Sequence, residues 1–199
     1  MNQLLTEVAP CIKCEHLAKS RKNVVFGVGD ITSPVMFVGE APGMDEDIKG
    51  EPFVGRAGQL LTKIIQTMGY DRDTVYIANI LKCRPDTPGQ RHGNRKPTPE
   101  EMDTCKPYLL KQIEIIQPKV IVTLGATAVQ GLLQTSEGIN KLRGTWQEFN
   151  GIPVMPTFHP SYLLRYGDKP TKRKVWEDML SVLEKLGHTV TERQKGFFK

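Results

Sequence analysis

Four short and nearly unbroken apolar runs punctuate the chain, at Val35 to Gly39, Val75 to Ile80, Val120 to Leu124 and Val154 to Phe158. Rich in β-branched and aromatic residues, they read as strands covered on both faces. Helical spacing fills the intervals. Leu60, Leu61, Ile64, Ile65 and Met68 form one apolar stripe, and Trp176, Met179, Leu180, Leu183 and Leu186 form another. A third helix is announced by Thr98-Pro99-Glu100-Glu101, which offers a hydroxyl N-cap, proline at the first helical position and a capping-box glutamate. Its inward face should carry Met102, Cys105, Leu109 and Ile113. The alternation predicts an α/β fold, a three-layer α/β/α sandwich on a four-stranded parallel sheet with right-handed crossovers. Trp146 to Phe149 reads as an extra strand, and Arg193 to Lys199 as a loose tail. With 199 residues, 39% of them hydrophobic, the chain suffices for one sizeable core, so one domain spanning 1–199 is expected.

In a parallel sheet the ligand crevice lies beyond the carboxyl ends of the strands. Two runs end there abruptly, one in Gly39-Glu40-Ala41-Pro42-Gly43 and the other in His159-Pro160-Ser161. The first opens a long loop, Gly39 to Gly58, with five glycines, Pro42 and Pro52. Glycines let a backbone approach a ligand and aim its amides inward. The loop lacks the Gly-Lys-Ser/Thr of a Walker sequence and the Gly-x-Gly-x-x-Gly of a dinucleotide fingerprint. Phe53 suits a stacking platform for a planar ring, with core packing as the alternative. Asn79, at a strand end, could present a donor and an acceptor to a base edge, or could simply form a turn. His159 sits where chemistry is expected. Behind it, Tyr162-Leu163-Leu164-Arg165 suggests an apolar wedge, with Leu163 the candidate, followed by a phosphate-binding arginine.

The net charge of +5 is concentrated. Lys82, Arg84, Arg91, Arg95 and Lys96 face only Asp86 between residues 82 and 96, and Arg165, Lys169, Lys172, Arg173 and Lys174 face only Asp168 between 165 and 174. Two basic runs beside candidate site loops suit a polyanionic partner. The start, Met1-Asn2-Gln3-Leu4-Leu5, carries no targeting pattern and no stretch approaches membrane-spanning length, so a soluble cytoplasmic protein is expected, without membrane contact. Four cysteines, two of them as Cys11-x-x-Cys14, are too few for a disulfide scaffold. Cys83 and Cys105 have twenty-one residues between them, unlike the second pair of a zinc ribbon, and Cys11 precedes any strand, unlike a thioredoxin motif. Four thiolates from three segments suit a cubane iron-sulfur cluster; two buried thiols beside an accidental pair are the alternative.

Taken together, Gly39-Glu40-Ala41-Pro42-Gly43, Pro52-Phe53-Val54-Gly55, Asn79 with Lys82-Cys83-Arg84-Pro85, Pro97 to Glu101, His159-Pro160-Ser161 and the four cysteines resemble a family 4 uracil-DNA glycosylase, in that family's order, from about Cys11 to Leu183. The resemblance implies a [4Fe-4S] cluster on Cys11, Cys14, Cys83 and Cys105. It also implies hydrolytic release of uracil from single- or double-stranded DNA by a monomer without a catalytic metal. On that basis Gly39, Glu40, Ala41, Phe53, Asn79 and His159 would hold uracil, with Glu40 and His159 catalytic. Asn79 would read the N3 and O4 edge, and His159 and the Glu40-loop amides would stabilise the departing base. Arg84, Arg91, His92, Arg95, Ser161, Leu163 and Arg165 would contact DNA. Family 1 enzymes have an acid after the glutamine of the corresponding loop, where this chain has Ala41. A water-orienting carboxylate must therefore come from Glu40, Asp45, Glu46 or Asp47, and Glu40 is the choice. Against that family's pattern, residues 86–93 read as a lengthened connection between Cys83 and Cys105. There Arg91-His92 faintly resembles UdgX-type proteins, which stay covalently bound to the abasic site. An iron-sulfur module that binds nucleic acid without catalysis, and a flavodoxin-like nucleotide-binding or redox protein, are the competing classes.

Overall fold

The computed structural model describes residues 1–87 and 94–198. Its centre is four strands buried along most of their length: β2 (Val35–Gly39), β3 (Tyr76–Asn79), β4 (Val120–Leu124) and β6 (Ile152–Thr157). They pair in parallel, β3 and β4 flanking β2 and β6 beyond β4. Alternation of side chains across the pleat splits their residues between two cores. Met36, Val38, Tyr76, Ala78 and Ile121 meet α1 (Asn2–Val8), α5 (Pro99–Ile116) and α6 (Ala126–Leu133). Val35, Phe37, Ile77, Val120 and Val122 meet α4 (Arg56–Met68) and α9 (Lys169–Lys185).

The sheet is wider than the four parallel strands expected, with six strands of mixed direction, one of them the extra strand read over Trp146 to Phe149. Residues 28–29 add β1 antiparallel to β3, and residues 147–149 add β5 antiparallel to β6. The second addition follows from a tight turn in which Asn150 and Gly151 both have positive φ, 49° and 80°. The first is two residues long, too short for any periodicity to reveal. Here Gly29, at φ 116°, lets the backbones approach where a β-carbon would run into the Val75 carbonyl.

Helix α5 starts as its sequence dictates: the Thr98 Oγ1 accepts from the Glu101 N–H (3.2 Å), and the Glu101 carboxylate accepts from the Thr98 N–H (2.8 Å). Such a cap contributes about 1 kcal/mol. The expected loose tail is instead anchored. Residues 192–196 form α10, the Trp176 indole donates to the Gln194 carbonyl (2.6 Å), Arg173 donates to the carbonyls of Lys195 and Phe197 (both 2.8 Å), and the Phe197 ring lies 5.6 Å from Trp176. Trp176, assigned to the core stripe, thus has a polar edge that recruits the C-terminal segment. Among the described residues no helix is long and apolar enough to cross a membrane.

Candidate active site

All four parallel strands end at one cavity of about 450 Å³. It is lined by Glu40 and Ala41 after β2, Asn79 at the end of β3, Leu124 to Thr127 after β4, and His159 and Ser161 after β6, with Gly43, Glu46, Phe53, Ala57, Asn94 and Arg165 completing the wall. Three helix starts open onto it as well: Gly43 caps α3 (Met44–Lys49), Gly125 caps α6, and His159 caps α8 (Pro160–Tyr166). Their amide dipoles make the cavity favourable to negative charge.

Phe53 is buried and carries a positive φ of 54°, a conformation costing about 1–3 kcal/mol in a non-glycine residue. The surroundings hold it there. Arg72 donates to the carbonyls of Phe53 (3.0 Å) and Pro52 (2.5 Å), and Gly58 leaves room where a β-carbon would strike the Phe53 carbonyl. The ring lies 5.6 Å from that of His159, tilted by 32°. Gly39 forms the floor beneath it, since a β-carbon there would collide with both the Phe53 ring and the Asn79 Oδ1.

Asn79 is 2% exposed, and its Oδ1 has no hydrogen-bond partner among the described residues. An unpaired buried acceptor costs about 1–3 kcal/mol and invites a donor from a ligand. The backbone of Asn79 is pinned from below, where the buried Lys82 Nζ donates to its carbonyl (3.0 Å) and to the Gln112 Oε1 (2.6 Å).

Burial holds the His159 imidazole down at about 4, so it is neutral at pH 7. Its Nδ1 accepts from the Ser161 N–H (3.1 Å), and the Ser161 Oγ lies 2.7 Å from the same nitrogen. An amide N–H can only donate, so Nδ1 is the bare nitrogen and the proton resides on Nε2. His159 is therefore a neutral N–H donor at the cavity.

Three of the four candidate carboxylates are accounted for. Glu46 accepts from the amides of Gly43, Val54 and Gly55 (each 3.0 Å) and organises the loop. Asp47 is buried and accepts from the amides of Lys22 (2.9 Å) and Asn23 (3.3 Å). Asp45 is exposed and does not line the cavity. Glu40 lines it, as Glu46 does, but the Glu40 carboxylate is in no hydrogen bond or ion pair among the described residues.

The DNA-facing expectations fare unevenly. Ser161 and Arg165 line the cavity. Leu163, the wedge candidate, is 6% exposed and packs with Phe158 and Val175, because the segment is a helix and its fourth residue faces inward; the wedge assignment is corrected to a core role. Arg95 is likewise drawn into structure. It donates to both Glu101 oxygens (2.8 and 2.5 Å) and contacts His16 Nε2 (3.1 Å). The Arg84 Nε donates to the Asn94 Oδ1 (3.0 Å), whose amide in turn donates to the Pro42 carbonyl (2.7 Å), so Arg84 reaches the site through its wall. Arg91 and His92 lie outside the described residues. Sequence reasoning missed Asn94 and the Leu124 to Thr127 wall. The latter carries the same signal as the loops that were found, an apolar run breaking into glycine, whereas Asn94 offers none.

The four cysteines meet at the edge of the first core. Burial raises the thiols of Cys14 and Cys83 and pushes Cys105 up to about 12, and in each the charge of neighbouring cysteines adds to the rise. Hydrogen bonds reach three of the sulfurs, from Arg21 to Cys83 (3.1 Å), from the Lys82 amide to Cys105 (3.2 Å) and from the Tyr108 hydroxyl to Cys11 (3.3 Å). No group of three ligating side chains among the described residues is placed to hold a single metal ion. Four soft sulfurs, three of them with donors aimed at them, are the side chains that could hold an iron–sulfur cluster.

Comparison with known proteins agrees with this geometry. Residues 26–180 match the uracil DNA glycosylase superfamily. The chain is similar to a type-4 uracil-DNA glycosylase of Thermotoga maritima, 48% identical over 86% of this chain and 87% of that one. Another, from Archaeoglobus fulgidus, is 39% identical over 100% and 97% of the two chains, and a third, from Saccharolobus solfataricus, is 42% identical over 94% and 86%. A glycine-floored cavity with a neutral histidine donor opposite an unpaired asparagine acceptor, in a chain this similar to those enzymes, places it: the chain belongs to the uracil DNA glycosylase superfamily, with the type-4 uracil-DNA glycosylases.

Proposed function

We propose that the protein draws a deoxyuridine out of DNA into this cavity and hydrolyses its N-glycosidic bond, leaving an abasic site. The unpaired buried Oδ1 of Asn79, in the same cavity as the Nε2–H of His159, carries the reading. Flipping costs a few kcal/mol, offset by contacts in the pocket and along the backbone. Asn79 accepts from uracil N3–H and donates to O4, a pattern opposite to the edge cytosine presents. Phe53 stacks on the ring. As the bond breaks, negative charge collects on the base and positive charge on the sugar. The Nε2–H of His159 and the helix-start amides meet the first, and Glu40 meets the second and orients the attacking water. Leu164, 43% exposed on α8, is the apolar side chain available to occupy the emptied stack. Arg165 at the rim contacts phosphate.

Cys11, Cys14, Cys83 and Cys105 hold a [4Fe-4S] cluster, which supplies a covalent tie between the N-terminal segment, the end of β3 and α5. Such a cluster persists in the reducing cytoplasm.

The test is an oligonucleotide with one uracil, alkali-cleaved after incubation. Strand breakage at uracil is expected; its absence would overturn the reading. In Asn79→Asp, release should fall strongly, since a carboxylate offers no donor to O4. A denaturation-resistant protein–DNA band that vanishes in His92→Ala would replace turnover by covalent capture.

A further inference from the structure

Helix α8 places three large apolar side chains in solvent within five residues: Tyr162 is 40% exposed, Leu164 43% and Tyr166 63%. Each residue turns the helix by about 100°. With Leu163 buried, Ser161 and Arg165 share the side that lines the cavity, and Tyr162 and Tyr166 share the adjoining stripe. The two tyrosines continue an aromatic ladder. Phe158, buried immediately before His159, stacks on Tyr162 at 4.8 Å and 28°, and Tyr162 meets Tyr166 at 5.1 Å and 46°. Its inner end is covered by the Arg143 guanidinium, 5.9 Å from the Phe158 ring. The outer ring, Tyr166, is the most exposed of the three.

A solvated helix face has no use for an ordered stack of rings, whereas a nucleic acid has. The ladder's neighbours are cationic, with Arg165 on the cavity rim and Lys169, Lys172 and Lys174 exposed on the following helix. We propose that Tyr162 and Tyr166 form a stacking platform for the unpaired base adjacent to the flipped nucleotide, with Arg165 on the phosphate between them. The platform rests on the reading of the cavity as a uracil site and adds to it a preference between single- and double-stranded DNA. DNA whose neighbouring base is already unpaired, single-stranded DNA above all, gains the contact without opening another pair.

The test uses a single-stranded oligonucleotide carrying 2′-fluoro-2′-deoxyuridine, which resists cleavage, with fluorescent 2-aminopurine on its 5′ or its 3′ side. The unaltered protein should quench the fluorophore on one side. Tyr166→Ser should abolish that quenching and weaken single-strand binding by about tenfold, within the range that base–aromatic stacking supplies. Duplex binding should weaken less, and Tyr166→Trp should restore quenching and affinity. Unaltered quenching and single-strand affinity in the Tyr162→Ser, Tyr166→Ser double variant would overturn the platform, as would recovery in Tyr166→Trp of thermal stability alone. If the unaltered protein released no uracil from an ordinary uracil oligonucleotide, the reading of the cavity would fall and the platform with it. Release of uracil together with indifferent tyrosine variants would remove only the platform.

Discussion

Replacing His159 with alanine should slow single-turnover uracil release by about 10²–10³-fold, the effect of removing one preorganised donor from a developing anion, about 2.7–4 kcal/mol. The pH dependence discriminates more sharply. With the imidazole held at about 4 by burial, about one molecule in a thousand carries a charged ring at pH 7. Charging it would cost roughly 3 kcal/mol relative to an exposed histidine and would also set a proton against the Ser161 N–H at Nδ1. The histidine contribution to the rate should therefore be level from about pH 8 to about pH 5.5. Rapid-quench measurements with enzyme in excess, on the unaltered protein and His159→Ala, would show it. A rate that climbs as pH falls through 6.5, with the climb missing from His159→Ala, would mean that the imidazolium is the working form and would refute the neutral-donor argument. The same group affects folding. Its folded value lies below its unfolded one, so the unfolded chain takes up the proton first, and stability should fall between about pH 6.5 and about pH 4 by up to roughly 3 kcal/mol. Urea midpoints of His159→Ala should lack that part of the acid slope.

Gly39→Ala should lower kcat/KM at least about a hundredfold, because the new methyl group displaces Asn79 or Phe53, with a smaller stability loss of about 1–3 kcal/mol read from urea unfolding. Leu163→Ala should destabilise by about 2–3 kcal/mol, whereas Leu164→Ala should stay within about 0.5 kcal/mol and lose duplex uracil release; the reverse pattern would restore Leu163 as the wedge. Protein isolated anaerobically should bind about four irons per chain, and Cys83→Ala should lose them together with DNA affinity, as iron assay and anisotropy would show; zinc in their place would overturn the cluster.

The strands, the capping box of α5 and the two principal loops were legible because each is written in contiguous residues of one chemical kind. Cys105 and Leu109 face inward as their spacing requires. Leu163 was misread because Tyr-Leu-Leu-Arg is equally apolar as a loop and as a helix. Only the helix, started by His159 as cap and Pro160 at its first position, decides which leucine turns away from solvent. The pairing of Arg95 was hidden for a different reason. Its partner Glu101 had already been assigned to a capping box, and a carboxylate with two oxygens can serve both, one accepting the Thr98 amide and both accepting the guanidinium. Such pairings are invisible along the chain because they join a loop to a helix start across space.

Lys82 was counted with the basic surface, yet it is 1% exposed and has no carboxylate partner among the described residues. A buried ammonium without a counter-ion is costly, and burial lowers it to about 8 while Cys105 pulls the other way. Its acceptors are dipoles, the Asn79 carbonyl and Gln112, and Gln112 is itself oriented by donating to the Phe26 carbonyl (3.0 Å) and to the Tyr76 hydroxyl (3.1 Å). Every member of this buried chain that could drift is thus held by the next. The same residue's backbone N–H is spent on the Cys105 sulfur. One side therefore fixes the peptide that carries the Asn79 amide, and the other fixes a cysteine. The rigidity needed to leave the Asn79 Oδ1 unpaired at the pocket floor is built from the cysteine end of the molecule upward.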